Sequence, residues 1–424
     1  MPRRLLAAAL LFACTAPASA DLRGHGGPVK AIAVSPDGAA VLSGSFDASA
    51  ILWSPARHAA ERVLRAHEGA VNAVAFLPDG RLVTAGEDGR IVLWSADQAT
   101  VLRRFEGHTA RIAALAVSPD GRHLASAGWD RTVRVWSLAE TAAVRVFEGH
   151  AENAVNAVGW TADSGAVLSA GYDGTVRLWP MDGSAPATLA ELGLPLNALA
   201  VPRDGTVAVA GADGAVTLVS PAGGPPRRLD GGAAPVITLA ANAEGTRLAA
   251  GGIRGSVSIW SLPEGRLLRT LSGPGLPVWA VAFAPDGVLW TGGMDRMVRR
   301  WDPETGVHLG AAGLAEVEVA SDHPGARVFR ACAACHTLSG GSANRAGPTL
   351  AGLFGRRIAT VPDYSYSEAL RRMDIVWTRD TVAALFTLGP AAYTPGTKMP
   401  EQTVGNEEDL RALLDFLEIA TRGG

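Results

Sequence analysis

Residues 108–136 read HTARIAALAVSPDGRHLASAGWDRTVRVW. Pro119-Asp120-Gly121 is a hairpin turn, with proline presetting one corner and glycine tolerating a positive φ at another. A strand precedes it, a second follows, a tight turn closes at Asp130, and a third strand ends on Trp136. Working outward, the same unit recurs. Tryptophans stand at 53, 94, 136, 179, 260 and 301, with Val219 on the missing beat, in steps of 41, 42, 43, 40, 41 and 41 residues. The turns Pro36-Asp37-Gly38, Pro78-Asp79-Gly80 and Pro285-Asp286-Gly287 keep the rhythm. A fixed period near this length marks an array in which each unit buries its neighbour's apolar face. Seven units are counted, starting near His25, His67, His108, His150, Pro195, Pro235 and Pro277. A fourth short strand follows each third strand, as in Val63-Leu64-Arg65 or Val101-Leu102-Arg103. Val307-His308-Leu309 is expected to close the last unit, because Leu22-Arg23 alone is short.

This pattern resembles the WD40 repeat, which implies an all-β, seven-bladed propeller over residues 21–313. His25, His67, His108 and His150 precede Asp47, Asp88, Asp130 and Asp173 by 21 to 23 residues. The resemblance gives each such pair a structural role, hydrogen-bonded with a hydroxyl (Ser43, Thr84, Ser126, Ser169) and the blade tryptophan, rather than a metal-binding one. Val209 and Ala250 replace the hydroxyl in units five and six, and Arg254 replaces the aspartate in the sixth. Unit seven keeps Thr291, Asp295 and Trp301 without a histidine. Units five to seven should therefore form the weaker side of the ring. WD40 rings usually serve as rigid interaction platforms with loops on two faces. Phe46, Trp129, Tyr172, Arg254 and Met294 are candidate exposed tips, either interface anchors or residues packed on the next blade. No catalytic constellation is evident on the ring.

Residues 332–336 read Cys-Ala-Ala-Cys-His, the attachment signature of c-type haem. Two thiols add across haem vinyl groups, and the adjacent histidine is placed to ligate iron. The same spacing occurs in zinc sites and thiol redox pairs. A zinc site would want a second Cys/His pair, which is absent, and a thiol redox motif would sit in a βαβ setting, which is also absent. Downstream, Gly396-Thr397-Lys398-Met399-Pro400 offers a methionine for the second axial position.

From about Asp322 to Gly424 the chain resembles the class I cytochrome c family, near the mitochondrial cytochrome c and bacterial cytochrome c2 branch. The residues that carry this are Gly325 through Phe329, Gly347-Pro348-Thr349-Leu350, Gly352-Leu353-Phe354-Gly355-Arg356, Tyr364-Ser365-Tyr366-Ser367, Trp377 and Tyr393 through Met399. The resemblance implies an all-α domain over 324–424 after a linker at 314–323, holding one covalent haem c through two thioethers at Cys332 and Cys335. It makes His336 and Met399 the iron ligands and the Pro348 carbonyl the acceptor for the other nitrogen of His336. Arg356, Tyr366 and Trp377 would hold a buried propionate, and Thr397 would join the network beside Met399. Leu370 departs from the polar residue common in the family. An extra residue between Trp377 and Tyr393 leaves open whether Leu385 or Phe386 faces the haem. Asp322 and Pro324 read as a helix start. Leu410, Leu413, Leu414 and Leu417 repeat at helical spacing in a closing helix from about Glu407, expected to pack near Phe329.

Arg3-Arg4, the apolar stretch Leu5 to Ala13 and Ala18-Ser19-Ala20 read as a secretory signal over residues 1–20. Cys14 leaves lipoprotein processing as an alternative. Haem attachment of this kind takes place outside the bacterial cytoplasm, so a periplasmic location is expected. No membrane span is expected, and with net charge −3 and no basic cluster, nucleic-acid binding has no support. Residues 322–424 carry eleven basic and eleven acidic side chains, and Lys398 alone remains of the family's lysine collar. Strong electrostatic steering is therefore not expected. The reading is a periplasmic electron carrier, not an enzyme, whose ring docks an oxidoreductase or another carrier. A redox-sensing or assembly scaffold and a catalytic propeller are the alternatives.

Overall fold

The computed structural model describes residues 21–97, 99–139, 145–151, 154–229, 235–273, 275–310, 322–333, 335–338, 346–362, 364, 366–399 and 402–422. The expected signal segment with Cys14, most of the expected linker, Ser365 and Pro400 lie outside them. Among the described residues, the strands form seven four-stranded antiparallel sheets, one per blade. The third blade shows why. Ile112–Val117, His123–Gly128, Thr132–Ser137 and Arg145–Glu148 are joined in simple up-and-down order. Its second strand is rich in alanine and buried along most of its length, because blades stack face to face and only small side chains fit between them. The innermost strands of adjacent blades pack on one another around the ring.

Ring closure departs from the sequence expectation. The outer position of the seventh blade is taken by Leu22–Arg23, paired with Val298 and Met297. The Val307–Leu309 segment forms no strand but adds a bridge from His308 to Trp301, with the Asp302 N–H donating to the Val307 carbonyl and the Leu309 N–H to the Arg300 carbonyl, each at 2.9 Å, and His308 Nε2 lying 2.8 Å from Asp21. Leu22 is fully buried, so even a two-residue strand anchors the N-terminal side of the ring to its last blade.

The histidine–aspartate pairs are hydrogen-bonded relays. In the first blade Trp53 Nε1 donates to Ser43 Oγ at 2.7 Å, and Ser43 lies 2.7 Å from His25 Nε2. His25 Nδ1 lies 3.0 Å from the Asp47 carboxylate. A carboxylate can only accept, so Nδ1 carries the proton, Nε2 accepts from the serine, and every proton in the chain is assigned. Thr84, Ser126 and Ser169 repeat the arrangement in blades two to four. In the seventh blade Trp301 reaches Thr291 at 2.9 Å, but Asp295 pairs with Arg299 instead of a histidine.

The C-terminal domain is helical: α1 (Pro324–Ala333), α2 (Glu368–Arg371), α3 (Arg379–Leu388), α4 (Pro390–Tyr393) and α5 (Glu407–Ala420). The start of α1 is capped by His323 rather than Asp322, its Nδ1 accepting from the Gly325 N–H at 3.1 Å. Asn406 caps α5 through the Glu408 N–H, and three acidic residues occupy the first turn, where the helix dipole favours them. Leu413, Leu414 and Leu417 are buried, as is Phe416, which the leucine spacing did not indicate; Leu410 is only partly buried. Phe416 meets Phe329 of α1 with ring centres 5.5 Å apart.

Candidate functional site

The last turn of α1 ends in the Cys-x-x-Cys-His run, so helix geometry aims Cys332 inward while the following turn brings round Cys335 and His336. Both thiols are buried and free of any disulfide. Burial alone pushes Cys332 up to about 11, so the thiol is held in its neutral form. His336 Nδ1 lies 2.7 Å from the Pro348 carbonyl. The carbonyl can only accept, so Nδ1 is protonated and the Nε2 lone pair is left for a metal. Burial lowers the imidazole pKa, with Arg356 adding to the effect and the Pro348 carbonyl opposing it. Gly347 has no space for a side chain, since a Cβ there would stand 2.5 Å from His336 Cε1.

Cys332, Cys335 and His336 line one cavity of about 160 Å³ that also takes in Met399. Its wall is mostly apolar, including Phe329, Leu350, Leu353, Val382 and Leu417. Leu385 and Phe386 both line it, so the question the sequence left open has no single answer; Phe386 is the more buried. Leu370 lines it as well. Thr397 Oγ1 accepts from the Met399 N–H at 3.1 Å and shapes the methionine loop.

Arg356, Tyr366 and Trp377 also reach this cavity. Arg356 directs Nη1 to the Ala351 carbonyl (2.6 Å) and Nη2 to the Thr349 carbonyl (2.8 Å), organising the loop after Pro348. Trp377 and Arg356 are joined through the backbone, the Trp377 N–H donating to the Arg356 carbonyl at 2.9 Å. Burial pushes the Tyr366 phenol up to about 12, keeping it a neutral donor. Two soft thiols, one imidazole with a free lone pair, a thioether and a dry wall suit a flat, apolar, iron-bearing macrocycle. Among the described residues, no cluster of His, Cys, Asp and Glu suits a bare metal ion.

Residues 323–420 match the family described as cytochrome c, and residues 18–54 that described as WD domain, G-beta repeat. Residues 70–321, more than half of the chain, match the family described as IFT122 first beta-propeller. The chain belongs to that propeller family and carries a cytochrome c domain. The cytochrome domain is 41% identical over 99 residues to cytochrome c of Cochliobolus lunatus, covering 23% of this chain and 91% of that protein. It is 39% identical over 111 residues to cytochrome c of Arabidopsis thaliana (26% and 98%). Against cytochrome c2 of Blastochloris viridis it is 34% identical over 113 residues (27% and 88%). The cytochrome c family implies a covalently bound haem c, and with it electron transfer; the propeller implies protein interaction.

On the ring, Phe46, Trp129 and Tyr172 line a cavity of about 490 Å³ that reaches the innermost strands of the blades. Arg254 and Met294 are exposed elsewhere. Trp129 also donates from Nε1 to Asn156 of the next blade at 3.1 Å, so it is both exposed and braced. Trp279, Lys30 and Arg111 join the same cavity and were not singled out by sequence. Arg111 stacks 3.2 Å from the Trp129 ring centre, and Lys30 Nζ stands 4.2 Å from that of Trp279. Burial, with the nearby Arg111 adding to it, brings Lys30 down to about 8. Only their convergence across blades reveals them, since a lone lysine or tryptophan in a strand carries no signal.

Proposed function

We propose that this chain is a periplasmic carrier of single electrons, with one haem c in the crevice and the propeller as the dock for a redox partner. The observation that carries the reading is the convergence of Cys332, Cys335, His336 and Met399 on one apolar cavity. Bound there through thioethers to both cysteines, a haem supplies a reversible ferric–ferrous couple. His336, held in orientation by Pro348, would offer Nε2 to the iron, and Met399 would offer its thioether sulfur from the other loop lining the cavity. Arg356, Tyr366 and Trp377, which line the same cavity, would serve a buried haem propionate as donors. The apolar wall excludes water, which favours electron exchange over ligand chemistry. The Ala18-Ser19-Ala20 segment supports export, and no described helix is long and apolar enough to cross a membrane.

The test compares the full-length protein with a Cys332→Ser/Cys335→Ser variant as baits in a periplasmic extract. Denaturing electrophoresis with haem staining establishes the covalent group, and recovered oxidoreductases are tested for reduction or oxidation of it. One oxidoreductase captured by both baits, with electron transfer only to the unaltered chain, supports a docking ring serving a tethered carrier. Capture that depends on iron oxidation state, without electron transfer, would instead make the chain a sensor.

A further inference from the structure

The crevice is not walled by the cytochrome domain alone. Gly26 and Asp47 of the first propeller blade line the same cavity as His336, Arg356 and Tyr366. Arg65 follows the outer strand of that blade (Ala59–Leu64). Its guanidinium lies 4.4 Å from the centre of the Tyr364 ring, and its Nη2 donates to the Ala346 carbonyl at 3.2 Å. The Tyr364 hydroxyl donates to the same carbonyl at 2.9 Å, and its ring stands 4.6 Å from that of Tyr366. Two residues along the propeller, the His67 carbonyl accepts from Lys398 Nζ, next to Met399. The propeller therefore touches both the tyrosine loop and the methionine loop of the crevice.

An arginine in this position does more than join two domains. Guanidinium keeps its charge even when partly buried. A fixed charge away from bulk water acts at a higher strength than one on an open surface, and salt screens it less. Burial lowers the Arg65 pKa, while Tyr364 and Asp47 oppose that effect. Ferric haem carries one more positive charge than ferrous haem, so a cation beside the crevice disfavours the oxidised form.

We propose that Arg65 is a positioning residue of the haem site, through which the propeller raises the reduction potential of the haem. This rests on the reading that a haem occupies the crevice. The test uses full-length, haem-loaded Arg65→Gln, Arg65→Lys and Tyr364→Leu proteins, with covalent haem content and redox titration as readouts. Arg65→Gln should shift the ferrous-to-ferric ratio at fixed ambient potential roughly three- to tenfold toward ferric, tenfold being ~59 mV for a one-electron couple. Arg65→Lys should restore most of the shift, because it keeps the charge. Tyr364→Leu removes the ring that fixes the guanidinium and should move the ratio in the same direction, so the inference stays testable if Arg65→Gln folds poorly. Normal haem content with an unchanged ratio in both Arg65→Gln and Tyr364→Leu would overturn the inference and reduce Arg65 to a domain fastener. An unaltered chain without covalent haem would overturn the carrier reading as well, and staining alone separates the two failures.

Discussion

Gly325 lies where α1 crosses α5, and Gly325→Ala is the substitution whose effect the geometry fixes best. A Cβ there would stand 1.9 Å from the Ala412 carbonyl oxygen and 2.6 Å from Phe416 Cβ. Ordinary contact needs 3.4 Å, so the helices must part by roughly 1.5 Å. Neither obstructing atom sits at the end of a flexible side chain, so no rotamer change relieves the clash. The crossing is held by Phe329, Leu413, Phe416 and Leu417, all of which lose close packing together. Overpacked cores cost about 1–3 kcal/mol, and a clash with backbone belongs at ~3 kcal/mol. For a domain of about a hundred residues this lowers the midpoint by roughly 12–24 °C. The assay is thermal unfolding of the haem-loaded full chain, followed by haem absorption for the cytochrome domain and far-ultraviolet dichroism for the ring. Separate probes are required because a two-domain chain does not unfold in two states. Gly405→Ala is the control, since a Cβ there meets nothing within 4 Å. A Gly325→Ala haem transition within about 2 °C of the unaltered protein would refute the packing argument.

In the third blade, Ser126→Ala leaves buried Trp136 Nε1 and His108 Nε2 without their shared hydroxyl. Each orphaned group costs about 1–3 kcal/mol, and hydrogen exchange should show the loss in that blade and not in the fifth. Acid should weaken the first four blades before the fifth and sixth. Asp47 is held down to about 2, burial pushing it up but His25, Ser49 and the Gly26 N–H outweighing that; Asp88 and Asp173 are lowered likewise, and burial lowers His150. In every case the unfolded chain takes up the proton first, so stability is lost as pH falls, below about 6.5 for His150 and about 3.8 for the carboxylates. Exchange protection, corrected for intrinsic rates, should fall in that order; equal loss around the ring would contradict it. Met399→Ala should lower the reduction potential and let the reduced protein bind carbon monoxide, which the unaltered protein should not; matching difference spectra would remove Met399 from the axial position.

Much of this was legible because it repeats or because the chemistry tolerates few substitutes. Four histidines each 21 to 23 residues from an aspartate, each with a hydroxyl and a tryptophan on the beat, leave little freedom of assembly. Ring closure was misread because Leu22–Arg23 is too short to show periodicity; its place is set by burial of Leu22 against the last blade. The Leu385–Phe386 choice dissolved because α3 is fixed at one end by the Thr378–Thr381 capping box. At its other end Gly389, with φ at +88°, turns the chain into α4, so both side chains reach the cavity. Arg65 was unreadable because an arginine closing a strand looks like any solvated surface charge. Its neighbour across the domain junction is nearly three hundred residues away in sequence.

The charge pattern explains why a carrier of this composition would keep a ring. Its domain balances eleven basic against eleven acidic residues, so long-range attraction contributes little to partner capture. Lys398 is the single lysine of that domain, and it is engaged with the His67 carbonyl rather than offered to a partner. Recognition then has to come from short-range contact, and the ring carries the features for it: Phe46, Trp129, Tyr172 and Trp279 around one opening, with Lys30 and Arg111 stacked on two of the rings. Aromatic anchors act only on contact, so a dock of the proposed kind would be slow to find its partner and specific once found. On the proposed reading, a haem on the same chain would meet the docked partner at a concentration set by the tether and not by diffusion. The contacts of Arg65 with Ala346 and of Lys398 with His67 hold the crevice against the ring, so on that reading the interface proposed to adjust the crevice would also direct where its electron can go.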